Sequence, residues 1–212
     1  LALLQAQLRA VFDDLDIAAV KTGMLGSRAV VEIVANELQR RRVAALVVDP
    51  VMISKSGHVL LAADAAQALR SQLFPMAALV TPNVEEASAL SGIAVETIED
   101  ATRAGRNIIE DGAAAALVKG GHLRSNPASD VLVTKEGVRT FAGEWIETPH
   151  THGTGCTYSA AIATHLGAGL PLEEAIMKAK QFLTEAIRAG VAVGRGRGPT
   201  DPFFFLRDKN RA

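Results

Sequence analysis

The stretch SRAVVEIVANELQRRRVAALVVDP, residues 27–50, changes its hydrophobic period halfway along. SRAVVEIVANELQRRR (27–42) has a helical pattern and is capped by Ser27. AALVVDP (44–50) is a short, β-branched apolar run that ends in a carboxylate, the mark of a buried parallel strand. The same kind of run recurs as IAAVKTG (17–23), AALVTPN (77–83) and AAAALVKG (113–120), with helical segments AADAAQALRSQLF (62–74) and IEDATRAGRNIIEDG (98–112) between them. Helix and strand therefore alternate, which predicts βαβ crossovers and an α/β fold with a helix-covered, mostly parallel sheet.

Outside this core the pattern differs. LALLQAQLRAVFDDLD (1–16) reads as a helix, and DVLVTKEGVRTFAG (130–143) as a hairpin turning at Glu136-Gly137. Two helices are expected from about Thr154 and Pro171. ISKSGH (53–58) and RSNPAS (124–129) lack apolar periodicity and read as loops, either lids or ordinary surface connections.

The 212 residues fit a single domain, 1–212, with enough chain for a sizeable core. A hydrophobic share of 49% with 21% charged residues is that of an ordinary globular protein. The formal net charge of −1 gives no electrostatic reason to expect nucleic acid or an anionic membrane surface, so a small-molecule ligand is expected. No apolar run has transmembrane length. One cysteine cannot form an intramolecular disulfide, which fits a reducing cytoplasm.

Ligands of open parallel sheets bind beyond the carboxyl ends of the strands. Those ends are Lys21-Thr22, Asp49, Thr81 to Asn83, and Lys119. Two ammonium groups around a carboxylate suit a phosphate and metal ligand better than an apolar one. In PLEEAIMKAKQFLTEAI (171–187), Leu172, Ile176, Ala179, Leu183 and Ile187 form an apolar stripe, and Lys180 lies within it. Its stem can cover apolar surface while the ammonium reaches water, or the ammonium can reach a phosphate.

THGTGCTYSAAI (151–162) is a glycine turn leading into an apolar helix. Such a turn exposes consecutive backbone N–H groups at the positive end of a helix dipole, an anion-binding arrangement. The spacings G-x-G-x-x-G and G-x-x-x-x-G-K-[ST] are both absent. A free cysteine such as Cys156 is commonly a small buried hydrophobe. At a helix start the local field instead favours a thiolate, suited to acid–base work, nucleophilic attack or redox sensing. Without a second cysteine to resolve an oxidised thiol, sensing has the least support.

AVKTGMLGS (19–27), VVDPVMISKSGHVLL (47–61), VTPNVEEASALSG (80–92), LVKGGH (117–122) and THGTGCTYSAAIA (151–163) occur in the order found in a known family. The chain resembles the hydroxymethylpyrimidine and phosphomethylpyrimidine kinases of thiamine biosynthesis, in the vitamin-kinase branch of the ribokinase-like fold. The resemblance implies a three-layer α/β/α architecture and an ATP- and Mg²⁺-dependent kinase. Its substrates would be 4-amino-5-hydroxymethyl-2-methylpyrimidine and then the monophosphate of that compound.

By the same resemblance, Cys156 is the base, and the amides around Gly153, Thr154 and Gly155 hold the transferring phosphoryl oxygens. Asp49 and Glu86 organise Mg²⁺, partly through water. Lys119, Lys180 and Asn83 belong to the ATP site. Met24 and Val51 line the pyrimidine, or else are core residues. Most ribokinase-like enzymes carry aspartate where this chain has Cys156; the cysteine marks the pyrimidine kinases and a related group that also phosphorylates pyridoxal-type substrates.

A cysteine-containing pyridoxine or pyridoxal kinase is thus the alternative enzyme, and a non-catalytic nucleotide- or vitamin-binding module the alternative from another class. Relatives are commonly homodimers. They also begin with a strand and a GSDSGGGAG-like segment, followed by elements that supply a carboxylate and a glutamine to the pyrimidine. None of these lies in residues 1–212, so the resemblance implies that an N-terminal strand region is missing. The tail VGRGRGPTDPFFFLRDKNRA (193–212) either lies by the nucleotide or only ends the last helix.

Overall fold

A computed structural model of the chain describes residues 1–41, 43–52, 60–121 and 128–207. The expected loop over 53–58, and residues 124–127 of the one expected over 124–129, lie outside these residues. The elements run α1 (Ala2–Asp14), β1 (Val20–Thr22), α2 (Arg28–Arg41), β2 (Leu46–Val48), α3 (Ala63–Ala68), β3 (Leu79–Val80), α4 (Val84–Ser91), α5 (Ile98–Glu110), β4 (Ala115–Val118), β5 (Asp130–Thr134), β6 (Val138–Phe141), α6 (Thr154–Gly167), α7 (Leu172–Arg188) and α8 (Phe204–Arg207). Each apolar run contains a strand, and the hairpin turns where Glu136-Gly137 placed it. Helix α3 widens through Leu69–Leu73 and tightens over Phe74–Met76, so the segment expected as one helix has three geometries.

The strand order follows the chain, β1 to β6; the first four strands are parallel, and β5 and β6 are antiparallel. Right-handed crossovers between strands laid down in sequence put all the connecting helices on one face. The side chains alternate accordingly: Leu46, Val48, Val80 and Ala116 pack with α2, α3 and their neighbours. Val118, Val131 and Val133 pack with α4 and α5. The opposite face, Val47, Leu79, Leu117 and Leu132, is covered by α6 and α7. These are the three layers, and the period-two alternation of fully buried residues is their cause.

Helix α4 was not expected as a helix. Eight residues leave little periodicity to read, but its start carries a legible signal: Asn83 accepts from the Glu86 amide at 2.8 Å and the Glu86 carboxylate accepts from the Asn83 amide at 2.8 Å. This capping box satisfies two donors that the helix cannot. On α7, Ile176 and Ala179 are fully buried and Leu172 and Leu183 pack beside them, as the stripe predicted. Ile187 is only half-buried, and the buried face instead takes in Ala175 and Ala186.

The tail folds back as a strap. Val191 donates to Pro199 O at 3.1 Å, His152 donates to Gly198 O at 3.0 Å, and Thr200 donates to His152 O at 3.1 Å. A Cβ at Gly198 would lie 2.1 Å from Val191 O and 2.3 Å from His150 Nδ1. Glycine is therefore required for the strap to close on the residues that lead into α6. Phe204 stacks against Phe182 of α7 with centroids 5.5 Å apart, while Phe203 is exposed.

Candidate active site

The carboxyl ends of β1 to β4 are held level by bonds that cross from one strand to the next. Asp49 donates its amide to Thr22 O, Thr81 to Val48 O, and Lys119 to Pro82 O. Four strand ends thereby converge on Asp49, which is almost fully buried. Its Oδ1 accepts from Lys119 Nζ at 2.8 Å and from Thr81 Oγ1 at 3.3 Å. Its Oδ2 accepts from Ser159 Oγ at 3.1 Å and lies 3.5 Å from Lys21 Nζ.

These strand ends are not solvated, because the Lys21 and Lys119 side chains are only 19% and 13% exposed. Burial pushes the Asp49 carboxyl up, but the charge and hydrogen bond of Lys119, then Lys21 and Ser159, hold it below the ordinary aspartate value. Asp49 is a charged anchor for both lysines.

Glu86 is the second buried carboxylate. Burial holds it above the ordinary glutamate value; the Lys119 charge and the Asn83 amide oppose that shift, and the charge of Asp49 adds to it. Asp49, Glu86 and Lys119 thus form one electrostatic unit. A second positive charge beside these two carboxylates would relieve Glu86, which is the fit expected of a divalent cation site. No group of three His, Cys, Asp or Glu ligands exists among the described residues, so these two carboxylates would hold such a cation together with water and phosphate oxygens. Asn83 spends its side-chain oxygen on the α4 cap, which leaves its amide NH₂ as the group it can offer a ligand.

Gly153 caps α6 at φ 81°, ψ 3°, in the left-handed region that glycine adopts without strain. The first bond back to the cap runs from the Thr157 amide to Gly153 O at 2.8 Å. The amides of Gly155 and Cys156 precede it and have no carbonyl of their own helix to meet. A Cβ at Gly155 would sit 3.2 Å from Lys119 Nζ, so the lysine lies directly against the nest. Bare amides beside an ammonium are the donor set for a phosphate chain. Cys156 is at the third helical position and is exposed, which excludes the buried-hydrophobe reading of its thiol.

Ser159, one turn further along α6, links the two halves of the site. Its hydroxyl lies 3.1 Å from Asp49 Oδ2 and also 3.1 Å from the carbonyls of Gly155 and Cys156. Sequence reading passed over it, although its spacing of four residues from Gly155 puts both on one face of the helix. Met24 follows β1 and is 59% exposed, so it is no core residue, and Val51, after β2, is half-buried. Lys180 stands apart from the Asp49 group: its ammonium donates to Asp130 Oδ2 at 2.6 Å and to Ala128 O at 2.8 Å. Neither arm of the open question about this lysine anticipated that partner.

Residues 1–201 match the family model described as phosphomethylpyrimidine kinase. The hydroxymethylpyrimidine/phosphomethylpyrimidine kinase of Staphylococcus aureus strain MRSA252 is 42% identical over 203 residues, covering 95% of this chain and 74% of that protein. The enzyme of the same name from Rhizobium meliloti is 44% identical over 204 residues, covering 95% and 76%. Among solved structures, the ADP complex of Bacillus subtilis pyridoxal kinase superposes with a TM-score of 0.87 at 37% identity, over 96% of this chain and 76% of that one. Phosphomethylpyrimidine kinase from Clostridium difficile 630 gives 0.75 at 38% identity, over 86% and 74%. With a three-layer sheet fold shared with ribokinase-like vitamin kinases and a family match across nearly its whole length, the chain belongs to the phosphomethylpyrimidine kinase family.

Proposed function

We infer that the protein transfers phosphoryl groups from ATP to 4-amino-5-hydroxymethyl-2-methylpyrimidine and then to its monophosphate, the diphosphate being the form used in thiamine biosynthesis. The observation that carries this reading is the position of Lys119, gripping Asp49 at 2.8 Å while its ammonium lies against Gly155 of the amide nest. Phosphoryl transfer asks a protein mainly for positioning and for positive charge around the moving group. This corner offers both beside an exposed thiol.

The family resemblance, together with the arrangement of the Asp49 group and the nest, supports these roles. Amides of Gly153, Thr154, Gly155 and Cys156 receive the oxygens of the transferring group, and Lys119 balances their charge. Cys156 Sγ takes the proton of the substrate hydroxymethyl group as its oxygen bonds to the γ-phosphorus. The bond from that phosphorus to the bridging oxygen breaks, and ADP leaves. Asp49 and Glu86 are the residues that would hold Mg²⁺, which would supply neutralisation of phosphate charge when bound. Asn83 and Lys180 complete the nucleotide side, while Met24 and Val51 border the pyrimidine.

The name of the B. subtilis neighbour keeps pyridoxal as the competing substrate, whereas the family model and the curated relatives name the pyrimidine. The lone cysteine supports a cytoplasmic setting, and family resemblance supports a homodimer of the kinase domain to which residues 1–212 belong. No described helix is long and apolar enough to cross a membrane. The test is a comparison of kcat/KM for the hydroxymethylpyrimidine and for pyridoxal with Mg·ATP. A preference for the pyrimidine is expected; turnover of pyridoxal alone would replace this reading.

A further inference from the structure

Asp130 is a buried carboxylate that nothing in the phosphoryl-transfer chemistry above requires, yet it binds three other parts of the fold. It opens β5, opposite the end of β4, because the antiparallel ladder pairs Val131 with Val118. Its Oδ1 accepts from the Gly120 amide at 3.0 Å, the peptide that follows Lys119. Its Oδ2 accepts from Lys180 Nζ of α7 at 2.6 Å and from the Tyr158 hydroxyl of α6 at 3.0 Å. Tyr158 is itself buried, and that burial, with the charge of Asp130, keeps its hydroxyl protonated as a donor.

One carboxylate thus fixes the strand end that presents Lys119, the helix that presents the nest, and the ammonium of Lys180. A lysine ammonium has three donors, and two of these are taken by Asp130 and by Ala128 O. Among the described residues the third has no partner, and its direction is set by the other two.

The surroundings point the same way. Ala128 adopts a left-handed φ of 69° to deliver its carbonyl to Lys180, a conformation that an alanine enters at a cost. A buried ion pair is also a poor way to gain stability alone, since well-packed apolar groups commonly do as well. We propose that Asp130 is a positioning residue for phosphoryl transfer, acting through Lys180 rather than by touching substrate.

This inference rests on the kinase reading, and one experiment separates the two. Wild type, Asp130→Asn, Lys180→Met and the double variant are assayed for kcat and for KM of ATP with the hydroxymethylpyrimidine. Turnover by the wild type upholds the kinase reading; its absence removes both claims. Asp130→Asn is expected to lower kcat/KM for ATP about tenfold or more, and to add less than about twofold once Lys180 is already Met, because residues acting as a unit are not additive. Losses that multiply in the double variant, or an Asp130→Asn enzyme with wild-type kinetics, would overturn the assignment.

If Asp130→Asn does not fold, Tyr158→Phe, which deletes only the hydroxyl donor to Oδ2, is made in the wild-type and Lys180→Met backgrounds. A loss of about threefold confined to the wild-type background supports the proposal; equal losses in both, or none in either, refute it.

Discussion

Lys119→Met removes the ammonium 2.8 Å from Asp49 Oδ1 and keeps most of the stem volume. Asp49 is then left buried with Lys21 at 3.5 Å and the hydroxyls of Ser159 and Thr81. Breaking a buried ion pair costs about 3–5 kcal/mol when the surviving charge is abandoned; with Lys21 still in place, about 2–3 kcal/mol is expected. For a chain of this length that is a fall in Tm of roughly 4–12 °C.

The pH dependence fixes the cause. Asp49 has a lowered pKa in the folded protein, so its contribution to stability is complete above the ordinary value of 3.8 and is lost as pH falls through the folded value. The gap between wild type and variant is therefore full at neutral pH and narrows in acid, as the stranded carboxyl of the variant protonates first and that of the wild type follows below 3.8. Denaturant unfolding across that range measures it. Combining Asp49→Asn with Lys119→Met, which removes the stranded charge, is expected to recover much of the loss. An unchanged Tm, or a gap that does not narrow in acid, would refute the electrostatic role assigned to Lys119.

Cys156→Ala is expected to lower kcat by about 10²–10⁴, the range for a general base, with nucleotide affinity within a few-fold of wild type; because the thiol is exposed, the melting temperature stays put. Glu86→Gln removes a carboxylate whose raised pKa makes its ionised form unfavourable for folding above that value, so this variant should melt no lower than wild type at neutral pH while losing Mg²⁺-dependent turnover. Gly198→Ala forces a Cβ to within 2.3 Å of His150 Nδ1 and is expected to cost about 1–3 kcal/mol, read by thermal unfolding, as the strap lifts from His152.

The parts of this molecule that sequence exposes are those set by local pattern. Alternating apolar runs and helical segments reveal β1 to β4, and polar residues at the run ends identify Lys21, Asp49, Thr81 and Lys119 as neighbours, because parallel strands bring equivalent ends together. The turn at Gly153 and the helix after it were legible for the same reason. What stayed hidden depends on residues far apart in the chain. Ser159 reaches Asp49 across 110 positions, and Lys180 reaches Asp130 across 50. No periodicity couples a strand end to a helix that covers the other face. Helix α4 was missed for the opposite reason, its signal being a short capping box rather than a stripe.

The reading depends most on the chemical identity of the product. ³¹P NMR of a reaction containing Mg·ATP and the hydroxymethylpyrimidine should show a phosphomonoester resonance first and diphosphate resonances later, with ADP rising in step. Consumption of pyridoxal with no phosphorylated pyrimidine at any time, or nucleotide binding without ADP formation, would contradict it.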